Sequence, residues 1–289
     1  MSDYNVIIVG GGHNGLICAG YLARSGLRTL VLERRAILGG ACVTEEIPGA
    51  PGYRVSTGAA QLGNIPPDVI HDLGLGQHGY ELLLPDPLSV FPFPDGRHIS
   101  IWLDINRTLE EIRAFSERDA LAFPQFYRDC VAFCDLIEPI LYADDTPSLS
   151  TIEAAFIDAG RSDLFQEFMI GSAWDLLSKR FESDAVRAIA GFTANFGTNA
   201  GPKTPGTAYV LAHHMFGGTA GVRGRTGYVR GGMGALTDAL GRAASEQGAE
   251  LWTEADVSQI MIKEGVAYGG EVSDGRNITA DIVISNADP

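Results

Sequence analysis

Lysine is scarce in this chain. Three lysines stand beside eighteen arginines, and acidic residues outnumber the two together to leave a net charge of -15. That balance opposes general electrostatic binding to nucleic acid or to an anionic bilayer, and no nucleic-acid partner is expected. Cysteine is sparse too. The four present have no paired spacing, which excludes an extracellular disulfide framework and points to a reducing, cytoplasmic compartment. Cys130 and Cys134 fall four apart on one face of a predicted helix but have no nearby histidine partners, so no metal site is expected. Long apolar runs are also missing. Residues 4–23 carry no charge over a membrane-spanning length, yet glycines, a histidine and two asparagines interrupt them, and Asp3 stands where a signal peptide needs a basic segment. No Ser-His-Asp arrangement and no carboxylate pair stands out. What the chain does have is a 45% hydrophobic content over 289 residues, enough for two domains with sizeable cores.

The first 33 residues read as one β-α-β unit. Tyr4 to Val9 (YNVIIV) is a short apolar run suited to a buried parallel strand, and GGGHNG follows at once, with Gly10, Gly12 and Gly15 in GxGxxG spacing. Leu16, Ala19, Gly20, Leu22 and Ala23 then form a small-residue helix face, Gly26 ends the helix, and Leu27 to Leu32 gives a second strand. Glu33 stands at its tip, 18 residues after Gly15. In such a unit the first glycine makes the tight turn, the second lets backbone approach a pyrophosphate, and the third permits close helix–strand packing. The acidic residue accepts hydrogen bonds from a ribose, and the helix N-terminus meets the phosphates. His13 and Asn14 complete the loop and are assigned to the cofactor site with it. A second match at residues 74–79 (GLGQHG) follows a mixed segment rather than a strand and has Arg97 where the acidic residue should be, so it reads as a turn-rich loop.

After Glu33, RRAILGGACVTEE places two arginines and the doublet Gly39-Gly40. This resembles the FAD-binding pattern of the large flavoprotein family that holds amine oxidases and phytoene desaturases. The resemblance implies that Arg34 and the doublet lie along an extended dinucleotide, against the alternative of a plain turn. Pyridine nucleotide-disulfide reductases also carry a cysteine in the place of Cys42, but need a second one five positions later, where this chain has Ile47. Cys42 therefore reads as a small packed residue. GTAYVLAHHMFGG and GYVRGGMGAL narrow the resemblance to the phytoene dehydrogenase-related FAD-dependent oxidoreductases. By that likeness, Val257 matches the valine that contacts the adenine end of FAD.

The fold class expected is α/β: a Rossmann-like FAD-binding domain of the glutathione reductase type with an inserted α+β substrate domain, truncated. Residues 1–78 and 225–289 would form the first, and 79–224 the second. In the latter, LLLPDPLSVFPFP and RHISIWL flank an Asp95-Gly96 hairpin signal. Ser116 and Asp119 form a capping-box pattern ahead of a stripe running from Phe123 to Leu141 at helical spacing. Further helices are expected over 151–159, 162–178 and 183–191. Core packing is the plainer reading of the aromatic stripes; the wall of an apolar tunnel or an interfacial membrane face is the other. From Gly224, a glycine-rich entry leads to a helix over 234–247, short strands, and a final strand from Asp281 to Ser285.

The resemblance implies an FAD-dependent oxidoreductase that transfers a hydride from an apolar isoprenoid-like small molecule to flavin. In that chemistry the protein supplies orientation and water exclusion, so few catalytic side chains are needed. His213 and His214 read as packing, active-site lining or metal ligands. Gly231, Gly232 and Gly234 read either as passing the flavin ring or as a helix-entry turn. The family's C-terminal part completes the substrate domain, so the chain is expected to be an N-terminal half, a truncation or one subunit of a split enzyme. Its partner would be a C-terminal-half polypeptide or a second copy, with peripheral membrane contact as a further expectation. An amine oxidase-like enzyme and a non-catalytic flavin-binding regulatory protein are the competing functions.

Overall fold

The computed structural model describes residues 2–63, 65–141, 143, 145–217 and 223–287. In chain order the elements begin with β1 (Tyr4–Val9), α1 (His13–Arg24), β2 (Thr29–Leu32), β3 (Thr44–Ile47), β4 (Ala50–Ser56), α2 (Pro67–Asp72) and β5 (Leu82–Leu83). They continue through β6 (Ser89–Pro92), β7 (His98–Ile101), α3 (Ile105–Arg113), α4 (Glu117–Leu141), α5 (Leu149–Asp158), α6 (Ser162–Leu164), α7 (Ala173–Arg180), α8 (Asp184–Ala190) and α9 (Thr207–His213). The last are β8 (Tyr228–Val229), α10 (Met233–Glu246), β9 (Glu250–Trp252), β10 (Val257–Lys263), β11 (Val266–Val272) and β12 (Asn277–Ser285). The chain divides into two compact units, residues 1–83 with 227–289, and residues 84–226.

The first unit carries a six-stranded sheet in the order β10-β11-β12-β1-β2-β9. β1 runs parallel to both β2 and β12, and β2 parallel to β9, whereas β10, β11 and the start of β12 form an antiparallel meander. All four residues of β2 are buried, as a continuous apolar run in a parallel sheet requires. Gly15, Leu16, Ala19, Gly20 and Ala23 are the buried face of α1. Full burial of Leu16 contributes about 1.5–3 kcal/mol. Ala19 and Ala23 pack with Val6, Ile8 and Val31 of the sheet and with Ala244 of α10.

The second unit is mostly helical. Phe123, Phe126, Cys130, Phe133, Cys134 and Ile137 of α4 are buried, and the Phe133 ring stacks on Phe168 with centroids 4.9 Å apart. The stripe on α4 is therefore core. β6 and β7 pair antiparallel around Asp95-Gly96, with Gly96 at φ +85°.

Several elements differ from the sequence expectation. The span 162–178 is not one helix. It runs through α6 into a π-helical turn (Phe165–Ile170) and breaks at Gly171, whose backbone becomes extended, before Ser172 caps α7 by accepting from the Asp175 N–H. A Cβ at Gly171 would strike the Glu167 carbonyl oxygen, so the break needs glycine. The capping box at α4 is half formed. Ser116 Oγ accepts from the Asp119 N–H, but the Asp119 carboxylate turns away to accept from the N–H groups of Glu182 and Ser183. β12 starts at Asn277 rather than Asp281, because its first residues pair with β11 before the rest joins β1. Leu82 and Leu83 pair with Val229 and Tyr228, which carries the first unit's edge to Leu83 instead of residue 78. Residues 74–79 form a short 3-10 turn between left-handed Gly74 and Gly79, as a turn-rich loop should. Among the described residues, no helix is long and apolar enough to cross a membrane.

Candidate functional site

Three parallel strands of the first unit end side by side, with Val9 of β1 registered on Leu32 of β2 and on Ser285 of β12. The first residues beyond them are Gly10, Glu33 and Asn286. Open α/β sheets take ligands outside the carboxyl ends of such strands.

Gly10 turns the chain at φ +100° and donates its N–H to the Leu32 carbonyl at 2.8 Å. Gly12 is the N-cap of α1, with no side-chain cap and no acidic residue in the helix's first turn. The first N–H groups of a helix have no intrahelical acceptor, and the macrodipole adds partial positive charge there. That end of α1 suits an external anion such as a pyrophosphate. Gly15 faces inward: a Cβ there would strike the Gly10 carbonyl oxygen and come within 2.9 Å of Asn286 Nδ2.

Glu33 is buried at 6% exposure. Its Oε2 accepts from the Gly11 N–H at 2.8 Å and its Oε1 from the Arg35 N–H at 2.9 Å. Each carboxylate oxygen keeps a second lone pair, so Glu33 can brace the loop and still accept from a ribose hydroxyl. Beyond it, Glu254 and Ala255 donate N–H bonds to the Arg35 and Glu33 carbonyls. This brings Val257, half-buried at the start of β10, to the same end of β2.

The doublet comes back to the loop. Gly39 donates to the Gly11 carbonyl at 2.8 Å and forms a parallel bridge with Gly12, while a Cβ on exposed Gly40 would lie 3.1 Å from Gly12 Cα. Two backbone segments without side chains thus face each other at the N-terminus of α1. His13 is half-buried, its Nδ1 3.6 Å from Cys42 Sγ, and Asn14 is exposed. Arg34 is exposed, and Arg35 pairs with Glu45 at 2.5 Å. Burial pushes the Cys42 thiol up, which holds it protonated and packed.

Gly231, Gly232 and Gly234 stand at the entry to α10. Gly231 and Gly232 have φ near +88° and +87°. Met233 N–H donates to Ser56 Oγ at 3.0 Å and Gly234 N–H to Thr44 Oγ1 at 2.9 Å, so hydroxyls of β3 and β4 occupy the start of α10. Any Cβ on Gly232 would collide with Thr44 Oγ1. In the second unit, His213 lies against Tyr209 and Phe216 with ring centroids 5.9 and 5.0 Å away, and His214 Nδ1 meets the Val210 carbonyl at 2.8 Å. Burial, then the neighbouring His214, lowers the His213 pKa. His213 is exposed and His214 half-buried, with the Phe196 ring 5.6 Å from His214. Among the described residues no cluster of potential metal ligands occurs. Gly218, the last residue of the AYVLAHHMFGG run, lies outside the described residues.

Sequence reasoning did not single out Asn286, whose Nδ2 donates to the Gly10 carbonyl at 3.2 Å. A polar residue directly after the last parallel strand was the available signal.

Residues 8–71 match the family described as NAD(P)-binding Rossmann-like domain. Over 99% of its length the chain is 35% identical to mouse pyridine nucleotide-disulfide oxidoreductase domain-containing protein 2, covering 54% of that protein. It is 30% identical to hydroxyneurosporene desaturase of Cereibacter sphaeroides, over 98% of the chain and 56% of the desaturase. The chain spans about half the length of the curated relatives it matches. A solved structure of putrescine oxidase bound to putrescine superposes with a TM-score of 0.55 at 19% identity, covering 97% of this chain and 57% of that one, a likeness of fold alone.

Proposed function

We propose that the chain is a phytoene dehydrogenase-related oxidoreductase whose first unit binds FAD and which acts on an apolar, isoprenoid-like substrate, a reading supported by its likeness over nearly its whole length to the two curated relatives. The observation that carries the reading is the uncapped N-terminus of α1 beside the buried Glu33 carboxylate. The residues fit the group. The pyrophosphate would be held by the N–H groups at Gly12, His13 and Asn14, with the Gly39-Gly40 doublet beside them. Glu33 would accept from the adenosine ribose, and Val257 would flank the adenine. The ADP portion is common to NAD(P) and FAD, so the Rossmann-domain match bears on that half of the ligand. When bound, the flavin supplies hydride acceptance; the chain's own residues bind, orient and exclude water. The desaturase relative supports an apolar substrate over an amine, because the likeness to putrescine oxidase is one of fold.

The test is titration with FAD, FMN and NAD, read by flavin fluorescence and calorimetry. FAD should bind while FMN, which lacks the adenosine, binds far more weakly. Stoichiometric NAD binding with no FAD binding would overturn the assignment. Anaerobic bleaching of the bound flavin by polyenes but not by amines would support the substrate class, and the reverse would favour an amine oxidase-like enzyme.

A further inference from the structure

Asn286 is the first residue after β12, and its backbone N–H donates to the Val9 carbonyl at 2.8 Å, extending the β1·β12 pairing by one step. That bond fixes the backbone and aims the side chain across the end of β1. There Nδ2 donates to the Gly10 carbonyl at 3.2 Å. The amide fills the space under the first turn of α1: a Cβ on Gly12 would lie 3.0 Å from Nδ2, and one on Gly15 2.9 Å. The Gly10 carbonyl is consequently turned inward. In a tight turn the peptide planes are coupled, so pinning this carbonyl sets the direction of the N–H groups that follow it. Glu33 holds the opposite edge of the same peptide through the Gly11 N–H. The loop is clamped between a carboxylate from the end of β2 and an amide from the end of β12.

We infer that Asn286 is a positioning residue of the dinucleotide site, orienting the phosphate loop through the Gly10 carbonyl so that the N–H groups at the start of α1 converge on a pyrophosphate. This rests on the FAD reading for its ligand, but the clamp itself is a property of the chain. Only a donor suits the position. A carboxylate at 286 would set an anionic oxygen against the Gly10 carbonyl and add negative charge beside the phosphates, whereas its protonated form can donate as the amide does.

Asn286→Asp and Asn286→Ala are compared with wild type by FAD titration between pH 5.5 and 8.5 and by amide hydrogen exchange of residues 10–16 without cofactor. At pH 8 Asn286→Asp should bind FAD about tenfold to a hundredfold more weakly, the effect of losing a donor to a part-buried acceptor and setting a carboxylate in its place. The deficit should shrink as pH falls and the new carboxyl takes up a proton. The ionisable side chains beside the loop, His13 on α1, Glu33 after β2 and Cys42, are the same in both proteins, so the ratio of variant to wild-type affinity isolates residue 286. Asn286→Ala should exchange its loop amides faster, with no recovery of affinity in acid. A pH-independent ratio for Asn286→Asp together with wild-type exchange in Asn286→Ala would overturn the inference. Faster exchange in a chain whose wild type binds no FAD would instead defeat the FAD reading and leave the clamp standing.

Discussion

In the unit of residues 1–83 and 227–289, polar backbone groups gather at the ends of three parallel strands; in the unit of residues 84–226, polar groups tie one helix to another. Glu33 and Asn286 hold opposite edges of the one Gly10–Gly11 peptide and leave the first turn of α1 without a side-chain cap. By contrast the Asp119 carboxylate, fully buried, accepts from the Glu182 and Ser183 N–H groups and so ties α4 to the start of α8, and Arg180 is shared between Asp129 and Glu167. Buried polar groups that satisfy one another make structure, whereas donors kept free beside a buried acceptor make a site. The difference marks the candidate dinucleotide site in the first unit, while the aromatic stripe of α4 belongs to the second unit's core.

Four substitutions or titrations can break or sharpen that contrast. Phe133→Ala should have the largest effect on stability, about 3–5 kcal/mol, since the ring is fully buried against Phe156 and Phe168. Denaturant unfolding measures it, and a loss under 1 kcal/mol would deny that the α4 stripe is core. Gly12→Val should cost roughly 2–4 kcal/mol of FAD binding, because its side chain would meet the Asn286 amide and obstruct the pyrophosphate path. Equal FAD affinity in fluorescence titration would contradict the placement of the phosphate loop. Glu33→Ala should weaken FAD binding by roughly 1–3 kcal/mol, as the Gly11 and Arg35 N–H groups lose their acceptor. If only stability changed and affinity did not, Glu33 would be a brace alone.

The smallest effect concerns thiols. Burial raises Cys134 to about 12 and Cys130 well above the ordinary thiol value. A group with a raised folded pKa gives stability that is complete below its unfolded pKa and is lost as pH rises toward the folded value. Between about pH 8.5 and 9.5 each such thiol should therefore cost up to about 1 kcal/mol of stability as the unfolded chain ionises. Both should resist alkylation in the folded protein at pH 8. Rapid labelling of Cys130 or Cys134 under native conditions would show that this core opens.

The legible parts of the fold were local. The glycine loop, the placement of Glu33 beside it and the buried strands follow from spacing and apolar runs within 33 residues, and the likeness of the later motifs to desaturase-like oxidoreductases agreed with relatives matched along nearly the whole chain. Gly171 hides the break in a predicted long helix because its need for glycine comes from the Glu167 carbonyl folded back on it. Why position 232 is glycine was not legible either, because Thr44 and Ser56, which would meet a Cβ there, come from a hairpin nearly two hundred residues earlier. Asn286 was silent for the same reason, as its partner Gly10 lies 276 residues away. Spacing reveals what a segment does with its neighbours in sequence, and the clamp is made by neighbours in space.

The most direct measurement is the identity of the small molecule released when the purified protein is denatured, separated by chromatography and weighed by mass spectrometry. The account predicts a yellow compound with the retention and mass of FAD, lost in Gly12→Val and reduced in Glu33→Ala. Recovery of NAD or NADP in stoichiometric amount, with FAD absent even after incubation with excess, would contradict it.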